Sequence, residues 1–254
     1  MRDYQKEFEN RVEFIRQMVA DSHASGIVFG NSGGKDSALV GILCKAACEN
    51  TVGIILPCTS RRNFTLDADD ARAVAQQFQI ETRVLDLTAV KERLTEQLTG
   101  VTQLNDAALT NIAPRLRMTA LYAIAASENR IVAGTGNRSE AYLGYFTKWG
   151  DGAHDFNPIS DLTVTEIFAF LEYLKAPRCI IEKAPSAGLF DGQTDEAEMG
   201  VTYAAVDQYL TTGKANAQDL SVIERYHLRS AHKRKPIATF EGWQKEGGRK
   251  HEYP

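Results

Sequence analysis

Cysteine is scarce: the 254 residues hold four, Cys44, Cys48, Cys58 and Cys179, and no pair has the Cys-x-x-Cys spacing of a zinc or redox site. Cys44 and Cys48 share one helix face at i, i+4, where buried structural thiols are the ordinary reading. A reducing cytoplasm is the setting expected for such a chain. No apolar run approaches the ~20 residues a membrane span needs, so no membrane role is expected. The Arg-, Lys- and Glu-rich start has no continuous apolar segment of the kind a signal peptide carries. Positive charge is not in excess either. A formal net charge of −4 argues against broad coating of nucleic acid, so nucleic acid is not expected as a partner. Internal repeats, low-complexity tracts and Pro/Gly-rich linkers are also missing, and one catalytic domain over residues 1–254 is the natural expectation.

What is present is concentrated in one short stretch. The apolar run Gly26-Ile27-Val28-Phe29-Gly30 breaks into Asn31-Ser32-Gly33-Gly34-Lys35-Asp36-Ser37 and resumes as Ala38-Leu39-Val40-Gly41-Ile42-Leu43. A buried strand, a glycine turn and a helix start place unpaired backbone N–H groups and the positive end of a helix dipole at one point, the makings of a phosphate site. Ser32 and Ser37 add hydroxyl donors, and Gly33 and Gly34 allow close backbone approach to an anion. The loop is not a Walker A loop: counting back from Gly34-Lys35, the first glycine would fall on Phe29, and Asp36 stands where a hydroxyl is needed. A Gly-x-Gly-x-x-Gly fingerprint fails as well.

Strand-like and helix-like segments alternate. Gly26–Gly30 precedes a helix at Ser37–Cys48, Thr51–Leu56 one at Leu66–Phe78, and Thr82–Leu87 one at Ala89–Leu98. A long helix from about Asn111 to Glu128 leads into Ile131–Gly134. Phe8, Val12, Ile15 and Val19 give the first residues an amphipathic helix. The pattern predicts an α/β fold, doubly wound, with a mostly parallel sheet covered by helices on both faces. In such sheets ligands bind beyond the carboxyl ends of the strands, which brings Ser32–Ser37 and Thr135–Glu140 toward one crevice. Gly144–Asn157 reads as a glycine-punctuated loop covering it. Asp36 and Glu140 each have a plain reading too: a first-turn acid favouring the helix dipole, and the reaching-back member of an Asn137-x-x-Glu140 capping box.

The hexapeptide Ser32–Ser37 resembles the Ser-Gly-Gly-x-Asp-Ser loop of the ATP pyrophosphatases, which split ATP to AMP and pyrophosphate while activating a carbonyl or carboxyl oxygen. Further segments narrow the resemblance. Gly134-Thr135-Gly136-Asn137-Arg138-Ser139-Glu140, then Gly144-Tyr145-Phe146-Thr147-Lys148-Trp149-Gly150-Asp151-Gly152, then Lys183-Ala184-Pro185-Ser186-Ala187-Gly188-Leu189 with Gln193-Thr194-Asp195-Glu196 follow in the order found in the synthetase domain of NAD synthetase. Asn111, Arg115, Arg117, Met118 and Tyr122 fall where that family carries an Asn…Arg-x-Arg-Met…Tyr helix, and the likeness runs from about Phe8 to Ala231-His232-Lys233-Arg234.

The resemblance implies a Rossmann-like fold and an ammonia-dependent ligase that adenylates nicotinic acid adenine dinucleotide with ATP and lets ammonia displace AMP. It implies magnesium as cofactor, ATP as co-substrate, a symmetric homodimer, and ammonia that is free or comes from a separate glutaminase, with no glutaminase domain in this chain. It puts Asn31, Ser32, Gly33, Gly34, Lys35, Ser37, Thr135 and Ser186 on ATP phosphate, and Asp36 and Glu140 at the metal. Arg115, Arg117, Phe146, Lys148, Asp155, His232 and Lys233 fall to the acid substrate. Asp36, Lys148, Asp151 and Ser186 take catalytic roles, with lysine neutralising charge and aspartate accepting a proton from ammonium.

Three positions depart from the family pattern. Lys35 replaces an aliphatic residue, Val164 in Leu162-Thr163-Val164-Thr165 replaces a phosphate-holding lysine, and Gly188 replaces an aspartate. Lys35 is read as partly supplying the charge missing at position 164. The departures keep two alternatives open, an ATP pyrophosphatase that amidates or thiolates another substrate and a catalytically reduced nucleotide-binding relative.

Overall fold

The computed structural model describes residues 2–58, 65–183 and 195–240. Its centre is a four-stranded sheet of β1 (Gly26–Gly30), β2 (Thr51–Ile55), β3 (Glu81–Val84) and β4 (Arg130–Ala133), parallel throughout in the order β3-β2-β1-β4. β1 is flanked by β2 and β4, with Ile27 paired to Thr51 and Ile131. Parallel pairing requires a crossover after each strand. These are α2 (Lys35–Ala47), α3 (Leu66–Gln77), and the pair α4 (Thr88–Thr99) and α5 (Asp106–Glu128).

Side-chain alternation along β1 divides the core in two. Ile27 and Phe29 join Leu39, Leu43 and Phe170 on the face covered by α2 and α1 (Tyr4–Asp21), with Val12 and Ile15 of α1 fully inside. Val28 points the other way, with Val52, Ile54 and Val132, against Ala113 and Ala125 of α5. Both faces are therefore dry, the condition under which an all-parallel sheet is stable. β3 is an edge strand with mostly exposed side chains, shorter than the expected Thr82–Leu87. The long helix begins at Asp106, ahead of the expected Asn111. Asn105 caps it by accepting from the Ala108 N–H, and the helix continues through Pro114 in its interior.

After β4 come α6 (Arg138–Leu143), α7 (Val164–Tyr173), α8 (Arg178–Ile181), α9 (Asp195–Met199), α10 (Tyr203–Thr212), α11 (Ala217–Arg229) and α12 (Ala231–Arg234). Leu143, Val164, Met199, Tyr203, Val206 and Ile223 bind several of these into a third cluster. Among the described residues no helix is long and apolar enough to cross a membrane.

Candidate active site

The loop after β1 closes tightly. Asn31 is buried, its N–H bonded to the Ile54 carbonyl of β2 and its side chain to the Ala71 carbonyl of α3. Gly33 has φ +69°, and a Cβ there would meet the Asp67 carbonyl oxygen at 2.0 Å. Only glycine fits that combination of left-handed backbone and close packing. The Ser32 hydroxyl accepts from the Gly34 N–H at 3.3 Å and lies 3.1 Å from the Ser37 hydroxyl. Gly34 is the N-cap of α2 and has no side chain to cap with, so the first-turn N–H groups open toward the cavity with the positive end of the helix.

The loop after β4 reaches the same place. Asn137 is fully buried at the N-cap of α6 in a complete capping box: its Oδ1 accepts from the Glu140 N–H at 2.9 Å, and Glu140 Oε2 accepts from the Asn137 N–H at 3.2 Å. The plain reading of Glu140 thus holds, and it does not exclude a second role. The Asn137 amide donates to Asp36 Oδ1 at 3.1 Å, tying together two loops a hundred positions apart. Lys35 Nζ lies 2.7 Å from Asp36 Oδ2 and 3.8 Å from Glu140 Oε1, only 7% exposed, with the Tyr203 ring 5.6 Å away. Burial alone would lower the Lys35 pKa, but Asp36, Glu140 and Asp195 outweigh it and hold the ammonium above its ordinary range. Burial and the neighbouring Asp36 push the Glu140 carboxyl well above the carboxylate range, with Lys35 opposing. Lys35, assigned to phosphate on sequence, therefore turns here onto the two carboxylates assigned to metal.

The two loops share a cavity of about 760 Å³ with the segment after α6. Asn31, Ser32, Gly34, Lys35, Asp36, Ser37, Thr135 and Glu140 line it together with Arg117, Phe146, Asp151 and Lys233. Asp151 lines this space, and the Thr147 N–H donates to its Oδ1 at 3.0 Å. Arg117 donates to the Leu56 carbonyl at 3.0 Å, and its desolvation lowers its pKa.

Lys233 donates to the Gly144 and Phe146 carbonyls, and Lys148 to the His232 carbonyl at 3.0 Å, so two lysines fasten the covering loop to α12. Arg115 approaches the Lys148 carbonyl at 3.4 Å. Gly33, Arg115, Lys148, Asp155 and His232 stand off the cavity wall. Asp155 instead accepts from the Val132 N–H at 2.7 Å and the Tyr122 hydroxyl at 3.0 Å, fixing the end of β4. Ser186 and Gly188 lie outside the described residues.

Sequence reasoning passed over two groups. Lys183 donates to the Gly33 carbonyl at 2.9 Å and pairs with Asp67 and Asp70 at 2.7 and 2.6 Å, holding the glycine turn from behind. Tyr203 donates to Asp195 at 3.1 Å beside the Lys35 ammonium. Val164 is buried in the same cluster as Tyr203 and does not line the cavity.

Asp36 and Glu140 suit a magnesium ion: both supply hard carboxylate oxygens at the cavity wall beside the phosphate loop. Each keeps one oxygen bound to Asn137 and turns the other toward a cation, at present Lys35.

Known proteins match this arrangement along nearly the whole chain. The family model for NAD synthase matches residues 7–240. The NH(3)-dependent NAD(+) synthetase of Carboxydothermus hydrogenoformans is 45% identical over 92% of this chain and 96% of its own. Among solved structures, the NMN synthetase of Francisella tularensis superposes with a TM-score of 0.89 at 38% identity, covering 95% of this chain and all of that one. The NH3-dependent NAD synthetase of Campylobacter jejuni gives 0.77 at 30% identity, again over 95% of this chain and all of the other. The chain belongs to the NAD synthase family.

Proposed function

We propose that the chain joins ammonia to the carboxylate of nicotinic acid adenine dinucleotide, consuming ATP and releasing AMP and pyrophosphate. The observation that carries this reading is the single cavity shared by the Ser32–Ser37 loop, the Asp36–Glu140 pair and the Phe146–Asp151 segment. A carboxylate oxygen is too poor a leaving group for ammonia to displace; transfer of AMP onto it supplies a good one.

Ser32, Ser37 and the first-turn N–H groups of α2 bind the β- and γ-phosphates, and Ser186 and Thr135 add hydroxyls. Asp36 and Glu140 would hold magnesium, which would neutralise phosphate charge when bound. Arg117 and Phe146 face the acid substrate, while Arg115, Lys148, His232 and Lys233 hold the covering loop over it, with Asp155 steadying β4 beneath. Asp151, a carboxylate on the cavity wall beside Phe146 and Lys233, takes the proton from ammonium. We further infer a single cytoplasmic synthetase domain acting as a homodimer, with ammonia free or delivered by a separate glutaminase.

The high similarity to the NMN synthetase favours one second reading, in which the acid is nicotinic acid mononucleotide. AMP release measured with each acid, ammonium and MgATP decides: higher kcat/KM with the dinucleotide supports the first reading, with the mononucleotide the second, and no AMP with either removes both.

A further inference from the structure

Lys35 and the carboxylate pair raise a question of occupancy. Asp36 Oδ1 takes the Asn137 amide and Glu140 Oε2 takes the Asn137 N–H, leaving one oxygen on each for a cation. Those two oxygens are the ones nearest Lys35 Nζ, at 2.7 and 3.8 Å. The ammonium is buried and backed by the Tyr203 ring, so it fills the position between the carboxylates and does not swing free in solvent. A metal bridging Asp36 and Glu140 would need these same oxygens. A divalent ion and an ammonium cannot share them, since like charges held at contact distance in a buried site repel strongly.

We propose that Lys35 is a resident cation of the metal site, which keeps divalent metal off Asp36 and Glu140 until ATP arrives, whereupon the ammonium is exchanged for the metal and turns to phosphate. The proposal rests on the reading of Asp36 and Glu140 as metal ligands. Without a cation, two half-buried carboxylates at one point would strain the free protein; Lys35 meets that need with no metal bound. Its flexible stem starts in the first turn of α2, beside the loop that takes phosphate, so a short swing serves both positions. Metal entry then depends on nucleotide, and metal binding alone is weak.

Binding of Mn2+ followed by electron paramagnetic resonance tests this without turnover. The wild-type protein should bind Mn2+ negligibly by itself and clearly with a non-hydrolysable ATP analogue. Lys35→Met should bind Mn2+ alone at least about tenfold more tightly than wild type, and Lys35→Arg, which keeps the charge, should not. Tight binding of Mn2+ by the wild type without nucleotide overturns the proposal whether or not Lys35→Met folds, as does an equal gain in Lys35→Arg. The metal reading is checked separately by Asp36→Asn: if the nucleotide-dependent Mn2+ signal survives there, that reading fails whatever Lys35 does.

Discussion

Asn137 is the point where the two loops of the site are joined, and its loss should be felt in stability and chemistry together. Asn137→Ala removes the N-cap of α6, worth about 1 kcal/mol. It also removes a hydrogen bond to the Asp36 carboxylate, and bonds to charged groups contribute roughly 1.5–3 kcal/mol. The expected cost is therefore about 3 kcal/mol. At roughly 2–4 °C per kcal/mol for a chain of this size, Tm should fall by about 6–12 °C. Asn137→Ser separates the parts: serine caps nearly as well but is too short to reach Asp36, so it should recover only about 1 kcal/mol. Thermal and urea unfolding measure both variants, with AMP formation recorded alongside. Asn137→Ala within 1 kcal/mol of wild type, or full recovery by serine, would refute the claim that this bond holds the loops together.

Gly33→Ala places a Cβ against the Asp67 carbonyl at φ +69°, and should cost at least 1–2 kcal/mol in urea unfolding and weaken ATP binding measured by calorimetry. Asp36→Asn and Glu140→Gln should each lower AMP formation by about 100-fold or more while the far-ultraviolet circular dichroism stays unchanged; near-normal AMP formation in either clears that residue of a metal role. Arg11 and Arg2 hold the Asp161 and Glu166 carboxyls below their ordinary pKa despite partial burial. A depressed folded pKa gives stability that is present above about pH 4 and lost as the pH falls further. With Asp161 half exposed, its share is under about 1 kcal/mol after screening, and Asp161→Asn should flatten the acid limb of a Tm–pH profile correspondingly.

The parts of the fold written in local pattern were legible. The apolar run Gly26–Gly30 and the turn into α2 fix β1 and its loop, and alternating strand and helix periods fix the parallel sheet. The capping box at Asn137 and Glu140 was visible as a spacing, and it survives alongside the pair's approach to Asp36. What the sequence hid was direction. Lys35 lies next to a phosphate loop in the chain, but its side chain follows the buried carboxylates, because an ammonium placed among them outweighs its desolvation. Asp155 was grouped with the covering loop, yet the free Val132 N–H at the sheet's end and the Tyr122 hydroxyl claim it. Lys183 stands in a family-like segment, but its role gives no local signal, since Asp67 and Asp70 lie more than a hundred positions away.

The central claim is that the carboxylate oxygen leaves as part of AMP, and isotope transfer tests it most directly. Nicotinic acid adenine dinucleotide labelled with oxygen-18 in its carboxylate is turned over with ammonium and MgATP, and the phosphorus products are resolved by their isotope shifts in nuclear magnetic resonance. The account predicts a single label in AMP and none in pyrophosphate. Label in orthophosphate with ADP as co-product, or amide formed with no label in AMP, would contradict it.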